Sequence, residues 1–153
     1  MRINFYDTRI EGCRTVLVKE RAVNYKIDSF SSPAPVAELL NSVASLNVMG
    51  EEHCYMLGLN NKGKLIGLFF ISKGTVNMTC LNPREVFMRA LLIGASSIVL
   101  CHNHPSGNPE PSRQDMEMTE RFKEAGELLG LPVMDHIIIG GSGYYSFMER
   151  GLL

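Results

Sequence analysis

A short apolar run, Ser96-Ser97-Ile98-Val99-Leu100-Cys101, ends at His102-Asn103-His104, and the chain then turns at Pro105 and Gly107 before Ser112-Arg113-Gln114-Asp115 opens a helix. Continuous apolar character over so few residues marks a strand in the middle of a sheet, buried on both faces. Proline and glycine directly after it force a turn. A buried strand that turns into a helix is the building unit of an α/β layered domain, and it constrains everything around it.

The flanking segments fit that architecture. Residues 2–28 are rich in β-branched types, with Thr15-Val16-Leu17-Val18 as the clearest strand, and read as strands or a hairpin at the sheet edge. Ser32 and Pro33 suit the cap and first turn of a helix whose apolar positions are Val36, Leu39, Leu40, Val43 and Leu46, stopping near residues 47–50. Strands over 53–59 and 65–72 flank Asn60-Asn61-Lys62-Gly63, a hairpin link, and a further strand is predicted over Thr75 to Cys80. Asn82 caps the next helix, with Pro83 in first position and Glu85 completing a capping box; Val86, Phe87, Ala90 and Leu91 form its buried stripe.

The third helix repeats Met118, Phe122, Ala125 and Leu129 on one face and stops at Gly130. Val133 to Ile139 is another buried strand, and after the turn Gly140-Gly141-Ser142-Gly143 residues 144–147 pair back. The expectation is one α/β domain with a central mixed sheet flanked by helices.

Composition narrows the function. The chain has 153 residues, 45% of them hydrophobic, and a formal charge of −1. A domain of this size buries roughly 70% of its unfolded surface and needs no disulfide staples. Near-neutral charge without a basic stripe argues against a nucleic-acid binder. The cysteines Cys13, Cys54, Cys80 and Cys101 form no C-x-x-C pair and read as reduced thiols of a cytoplasmic protein. Neither a signal peptide nor an apolar run long enough to span a bilayer is visible.

His102 and His104 are two apart, so a strand points both to the same side. Asp115, in the first turn of the following helix, can fold back to meet them. Two imidazoles and one carboxylate leave a fourth tetrahedral position open, the layout of a catalytic zinc site rather than a structural one. Zinc there would bring the pKa of water to about 7. Helix capping alone explains the pair Ser112 and Asp115, and Ser112 can serve both purposes; capping does not explain the paired histidines upstream. The contiguous His-Asn-His is not the spread motif of HNH nucleases, the deaminase signature H-x-E with P-C-x-x-C is absent, and the chain is too short for an amidohydrolase barrel.

H-x-H, seven residues, then S-x-x-D resembles the JAMM motif of the JAB1/MPN metalloprotease family, whose fold is of the cytidine-deaminase-like type. His102-Asn103-His104-Pro105-Ser106-Gly107, Asp135-His136-Ile137-Ile138-Ile139, Asn82-Pro83-Arg84-Glu85-Val86 and Glu149-Arg150-Gly151 are similar to its RadC-like branch. The resemblance covers residues 33–153; residues 1–32 look like an added extension of edge strands within the same structural unit. Longer RadC proteins carry an N-terminal helix-hairpin-helix region with no counterpart in residues 1–32.

The resemblance implies Zn2+ on His102, His104 and Asp115. It also implies a glutamate upstream to shuttle the proton, best matched by Glu52 with Glu51 as competitor, and Ser112 as donor to the developing oxyanion. The substrate class it implies is a peptide or isopeptide bond in a peptide or protein, and the alternative is a non-catalytic MPN-type scaffold or DNA-repair accessory module. A nuclease is a weaker third reading. The DNA-repair association in the branch's name is not written in these residues.

Among the remaining candidates, His136 reads as a structural histidine, with support of the metal site as the alternative. His53 points away from Glu52 and is not a ligand. Cys101 belongs to the core, Asn103 and Ser106 shape the loop, and Met116 and Met118 are ordinary helix surface and core.

Overall fold

The structure is a computed structural model that describes residues 1–26, 30, 32–74, 81–141 and 143–153. Among the described residues seven strands form one sheet: β1 (Arg2–Glu11), β2 (Arg14–Asn24), β3 (His53–Leu59), β4 (Leu65–Lys73), β5 (Ser97–Asn103), β6 (Val133–Ile139) and β7 (Tyr144–Ser146), in the order β2-β1-β4-β3-β5-β6-β7. Pairs β1–β4 and β5–β6 are parallel and the others antiparallel, so the sheet is mixed as expected. The N-terminal segment is a hairpin at the sheet edge. It turns at Gly12 and Cys13, which both take the left-handed conformation that two-residue hairpin turns demand. The strand expected over residues 75–80 lies outside the described residues.

Helices cover both faces. Helix α1 (Pro33–Ala44) packs Val36, Leu39 and Leu40 with Leu57, Val99, Cys101 and Ile137 on one side. Helices α2 (Pro83–Leu92) and α3 (Arg113–Leu129) close the other with Val86, Phe87 and Phe122 against Met56, Ile98 and Leu100. Every residue of β5 is buried, which is why its sequence shows no polar alternation. Among the described residues no helix is long and apolar enough to cross a membrane.

Four local expectations need correction. The α1 helix ends at Ala44 because Ser45 takes a left-handed φ of 52°; Leu46 then enters the core from a 3-10 turn over Leu46–Val48. At α2, Asn82 caps the Arg84 N–H, but Glu85 turns to Arg84 and Arg89 instead of back to the cap. Leu91 is 57% exposed, since the stripe drifts off the core at the helix end. Leu129 likewise faces outward, and Gly126 takes its buried place because a side chain there would strike the Leu131 carbonyl at 2.7 Å.

A second close approach shapes the functional end of the sheet. A Cβ on Gly140, just after β6, would lie 2.4 Å from the Gly107 carbonyl and 2.7 Å from Pro109 Cδ. The loop after β5 is therefore seated on a glycine floor, with the Gly141 N–H donating to Gly107 O at 3.0 Å. Gly140→Ala is expected to lower unfolding free energy by about 1–3 kcal/mol through overpacking, read from the urea midpoint. A midpoint equal to wild type would show that this loop is not packed on β6.

Candidate metal centre

His102 and His104 leave the carboxyl end of β5 on its α3 side, because alternation points both the same way. Between parallel strands this end is where α/β sheets gather their ligands. Helix α3 begins beside it. Ser112 caps α3 in a full capping box: its Oγ accepts from the Asp115 N–H at 3.2 Å, and its own N–H donates to Asp115 Oδ2 at 2.7 Å. The box therefore does more than start a helix. It turns the Asp115 carboxylate back towards the strand end.

There the donor atoms converge. His102 Nε2 lies 3.2 Å from His104 Nε2 and 3.2 Å from Asp115 Oδ1, and His104 Nε2 lies 3.4 Å from Asp115 Oδ2. One ligand atom from each of the three residues falls within 4.8 Å of the others. His102 and Asp115 are buried and His104 is partly exposed, so the group opens to solvent on one side.

The outer hydrogen bonds settle which way the lone pairs point. His104 Nδ1 sits 2.9 Å from the Asn108 carbonyl, which can only accept, so Nδ1 carries the proton and Nε2 offers its lone pair inward. His102 is oriented by a longer chain. The Thr119 hydroxyl donates to the Asp115 carbonyl at 2.6 Å, so its oxygen accepts from His136 Nδ1 at 2.6 Å. His136 Nε2 is then an acceptor, and His102 Nδ1–H donates to it at 2.9 Å. Burial pushes the His136 pKa well below the usual histidine value, which keeps this ring neutral. His102 Nε2 is thus left unprotonated, facing Asp115.

Two imidazole lone pairs and a carboxylate so close together require a cation among them. Without a metal the proton takes that part: the hydrogen bond to Asp115 raises the His104 pKa against the effect of burial. Burial disfavours the Asp115 carboxylate, but its contacts with His102, His104 and Ser112 outweigh this and hold its pKa well below the usual range. The residues present fit a divalent ion with borderline-soft preference, bound by two nitrogens and an oxygen.

The two glutamates separate by their surroundings. Glu51 reaches Lys73 at 2.5 Å and is half exposed. Glu52 precedes the first residue of β3 rather than lying on the strand; the last β3–β5 pair is Cys54 with His102, and extending that register by two residues sets Glu52 across from His104. Its charge acts on His104.

His53 lies on the other face, edge-on to Phe70 at 5.6 Å, and its Nε2 has no hydrogen-bond partner among the described residues. Cys101 is fully buried, which pushes its thiol well up. Ser106 Oγ accepts from the Asn108 N–H and so shapes the loop, while Asn103 is a buried strand residue rather than a loop residue. Met116 is exposed and Met118 packs against the core.

His136 proves to touch the site through His102, with its ring stacked on Phe147 at 4.9 Å. Sequence reasoning missed Thr119. Its one signal is position: it follows Asp115 by four residues on the same helix face.

Thr119→Val keeps the shape and removes the hydroxyl that sets this chain of tautomers. The variant is expected to fold normally and to bind Zn2+ about tenfold more weakly by competition titration. Wild-type affinity would show that the His102 tautomer is set in another way.

Comparisons with known proteins identify the family of the chain. The model of the RadC-like JAB domain matches residues 30–152. A UPF0758 protein of Clostridium beijerinckii is 40% identical over 133 residues, 87% of this chain and 57% of its own. Another from Pelobacter propionicus is 42% identical over 127 residues, 83% of this chain and 55% of its own. A third, from Caldanaerobacter subterraneus, is 41% identical over 142 residues, 93% of this chain and 59% of its own. The chain spans a little over half the length of these curated relatives. With the matched domain running from before α1 to the residue before the last, the chain belongs to the RadC-like JAB domain family.

Proposed function

We propose that the chain is a zinc-dependent hydrolase that cleaves peptide or isopeptide bonds. The observation that supports this most is the convergence of two imidazole nitrogens and a carboxylate at a partly open strand end, with Glu52 just before the strand that pairs with β5. His102, His104 and Asp115 would hold the ion, which when bound would supply Lewis-acid activation of water and of the amide carbonyl. Two nitrogen ligands favour zinc over the oxygen-seeking magnesium or calcium.

The protein's own groups account for the proton transfers. Glu52 takes a proton from the attacking water as its oxygen bonds to the carbonyl carbon, and delivers it to the nitrogen as the C–N bond breaks. Water and the amide become a carboxylic acid and an amine. Ser112 donates to the carbonyl oxygen as negative charge develops there. Its hydroxyl otherwise donates to Asp115 Oδ2 at 2.6 Å, so this role requires it to rotate away. Asp115 Oδ2 then stays held by the Ser112 N–H. An intact set of donors fits an enzyme better than a scaffold, which has no use for it.

The test is hydrolysis of a mixed library of peptides and isopeptide-linked peptides by the zinc-loaded protein, read by mass spectrometry. Wild type is expected to cleave a subset, Glu52→Gln to lose at least about 100-fold in rate while still binding zinc, and His104→Ala to lose both. Full activity in Glu52→Gln would remove Glu52 from the mechanism. No cleavage by the zinc-loaded wild type would contradict the peptidase reading.

A further inference from the structure

Asn103 lies between the two histidines, yet it points to the opposite face of the sheet, 2% exposed. A buried amide must find partners for its oxygen and its NH2. Here they are all in one short segment fifty residues upstream. Asn103 Oδ1 accepts from the His53 N–H at 2.8 Å, and Asn103 Nδ2 donates to Glu51 O at 3.1 Å and to Met49 O at 3.3 Å.

The Glu51 carbonyl and the His53 N–H belong to the two peptide planes on either side of the Glu52 Cα. Because peptide planes are rigid, fixing both fixes φ and ψ of Glu52 and the direction of its Cβ. The Glu52 carbonyl is tied separately to the Gly74 N–H at 2.8 Å. Glu52 lies one residue before β3, past the last pair of the regular β3–β5 ladder, so these ties add to what strand pairing imposes on it.

We propose that Asn103 is the positioning residue for Glu52: one side-chain amide grips both peptide planes flanking the glutamate and aims it at the metal site on the far face of the sheet. The inference rests on the reading of Glu52 as proton carrier. It gives the middle residue of His-Asn-His a task distinct from those of its neighbours. The same strand end carries ligands on one face and, on the other, the clamp that sets the proton carrier against them. A role through Glu52 also implies that nothing is lost by removing Asn103 once Glu52 itself is disabled.

A double-mutant cycle tests this, with Asn103→Ala and Asn103→Asp each made alone and with Glu52→Gln. The aspartate variant keeps the acceptor for His53 and removes the donor to Glu51 and Met49, so it serves if the alanine variant fails to fold. Zinc affinity is expected to stay within about threefold of wild type, since no ligand is touched. Exchange of the His53 amide hydrogen is expected to speed up. On the peptide library, kcat is expected to fall at least about tenfold with KM little changed, and the double variant to match Glu52→Gln alone.

An unchanged kcat, or a loss that adds in full to that of Glu52→Gln, overturns the proposal. If the zinc-loaded wild type cleaves nothing, the peptidase reading fails, and the clamp is judged on the visible spectrum of the cobalt(II)-substituted protein. Asn103→Ala should then shift that spectrum as Glu52→Gln does, with no further shift in the double variant. A wild-type spectrum in Asn103→Ala overturns the clamp independently of any substrate.

Discussion

Two imidazole nitrogens and a carboxylate that face one another with their lone pairs inward repel unless a positive charge lies among them, and the functional end of this molecule is built to hold that arrangement. The cost is met by structure on every side. The capping box of α3 aims Asp115, the Asn108 carbonyl fixes His104, and the chain from Thr119 through His136 fixes His102. That chain returns to the Asp115 carbonyl, so it ties β5, β6 and α3 into one closed circuit. The ties on the two histidines each set a proton on the outer nitrogen and a lone pair on the inner one.

The rest of the fold follows from where this must be placed. A strand buried on both faces gives the histidines a rigid base, and α1 on one side and α2 with α3 on the other supply the burial. The loop after β5 can return to the site only because Gly140 leaves room for Gly107 and Pro109. The N-terminal hairpin meets the sheet through β4, with β4 and β3 between it and β5, and so adds to the edge rather than to the site.

What the sequence made legible was local. A Pro/Gly turn after an apolar run, Ser-x-x-Asp at a helix start and a glycine stop at residue 130 each depend on neighbours in the chain, and each stands in the structure as expected. The even spacing of two histidines at a strand end is likewise a local geometric fact. Illegible were the contacts that depend on register. Nothing near Glu51 and Glu52 says which of them faces His104; the β3–β5 pairing decides, together with Lys73 on β4 drawing Glu51 aside. The partnership of Thr119 with His136 joins a helix to a strand, and that of Asn103 with residues 49–53 crosses fifty positions. Leu91 and Leu129 were misplaced for a related reason: helical periodicity gives a face, but where the face leaves the core is set by the neighbouring element.

The central claim is that His102, His104 and Asp115 together are a zinc site. Anomalous diffraction at the zinc edge, from crystals of protein supplied with one equivalent of Zn2+, tests it directly. One strong peak is expected within ligand distance, about 2.0–2.2 Å, of His102 Nε2, His104 Nε2 and an Asp115 oxygen, and it is expected to disappear in His104→Ala. A map with no peak there, or with zinc held elsewhere on the chain, would contradict it.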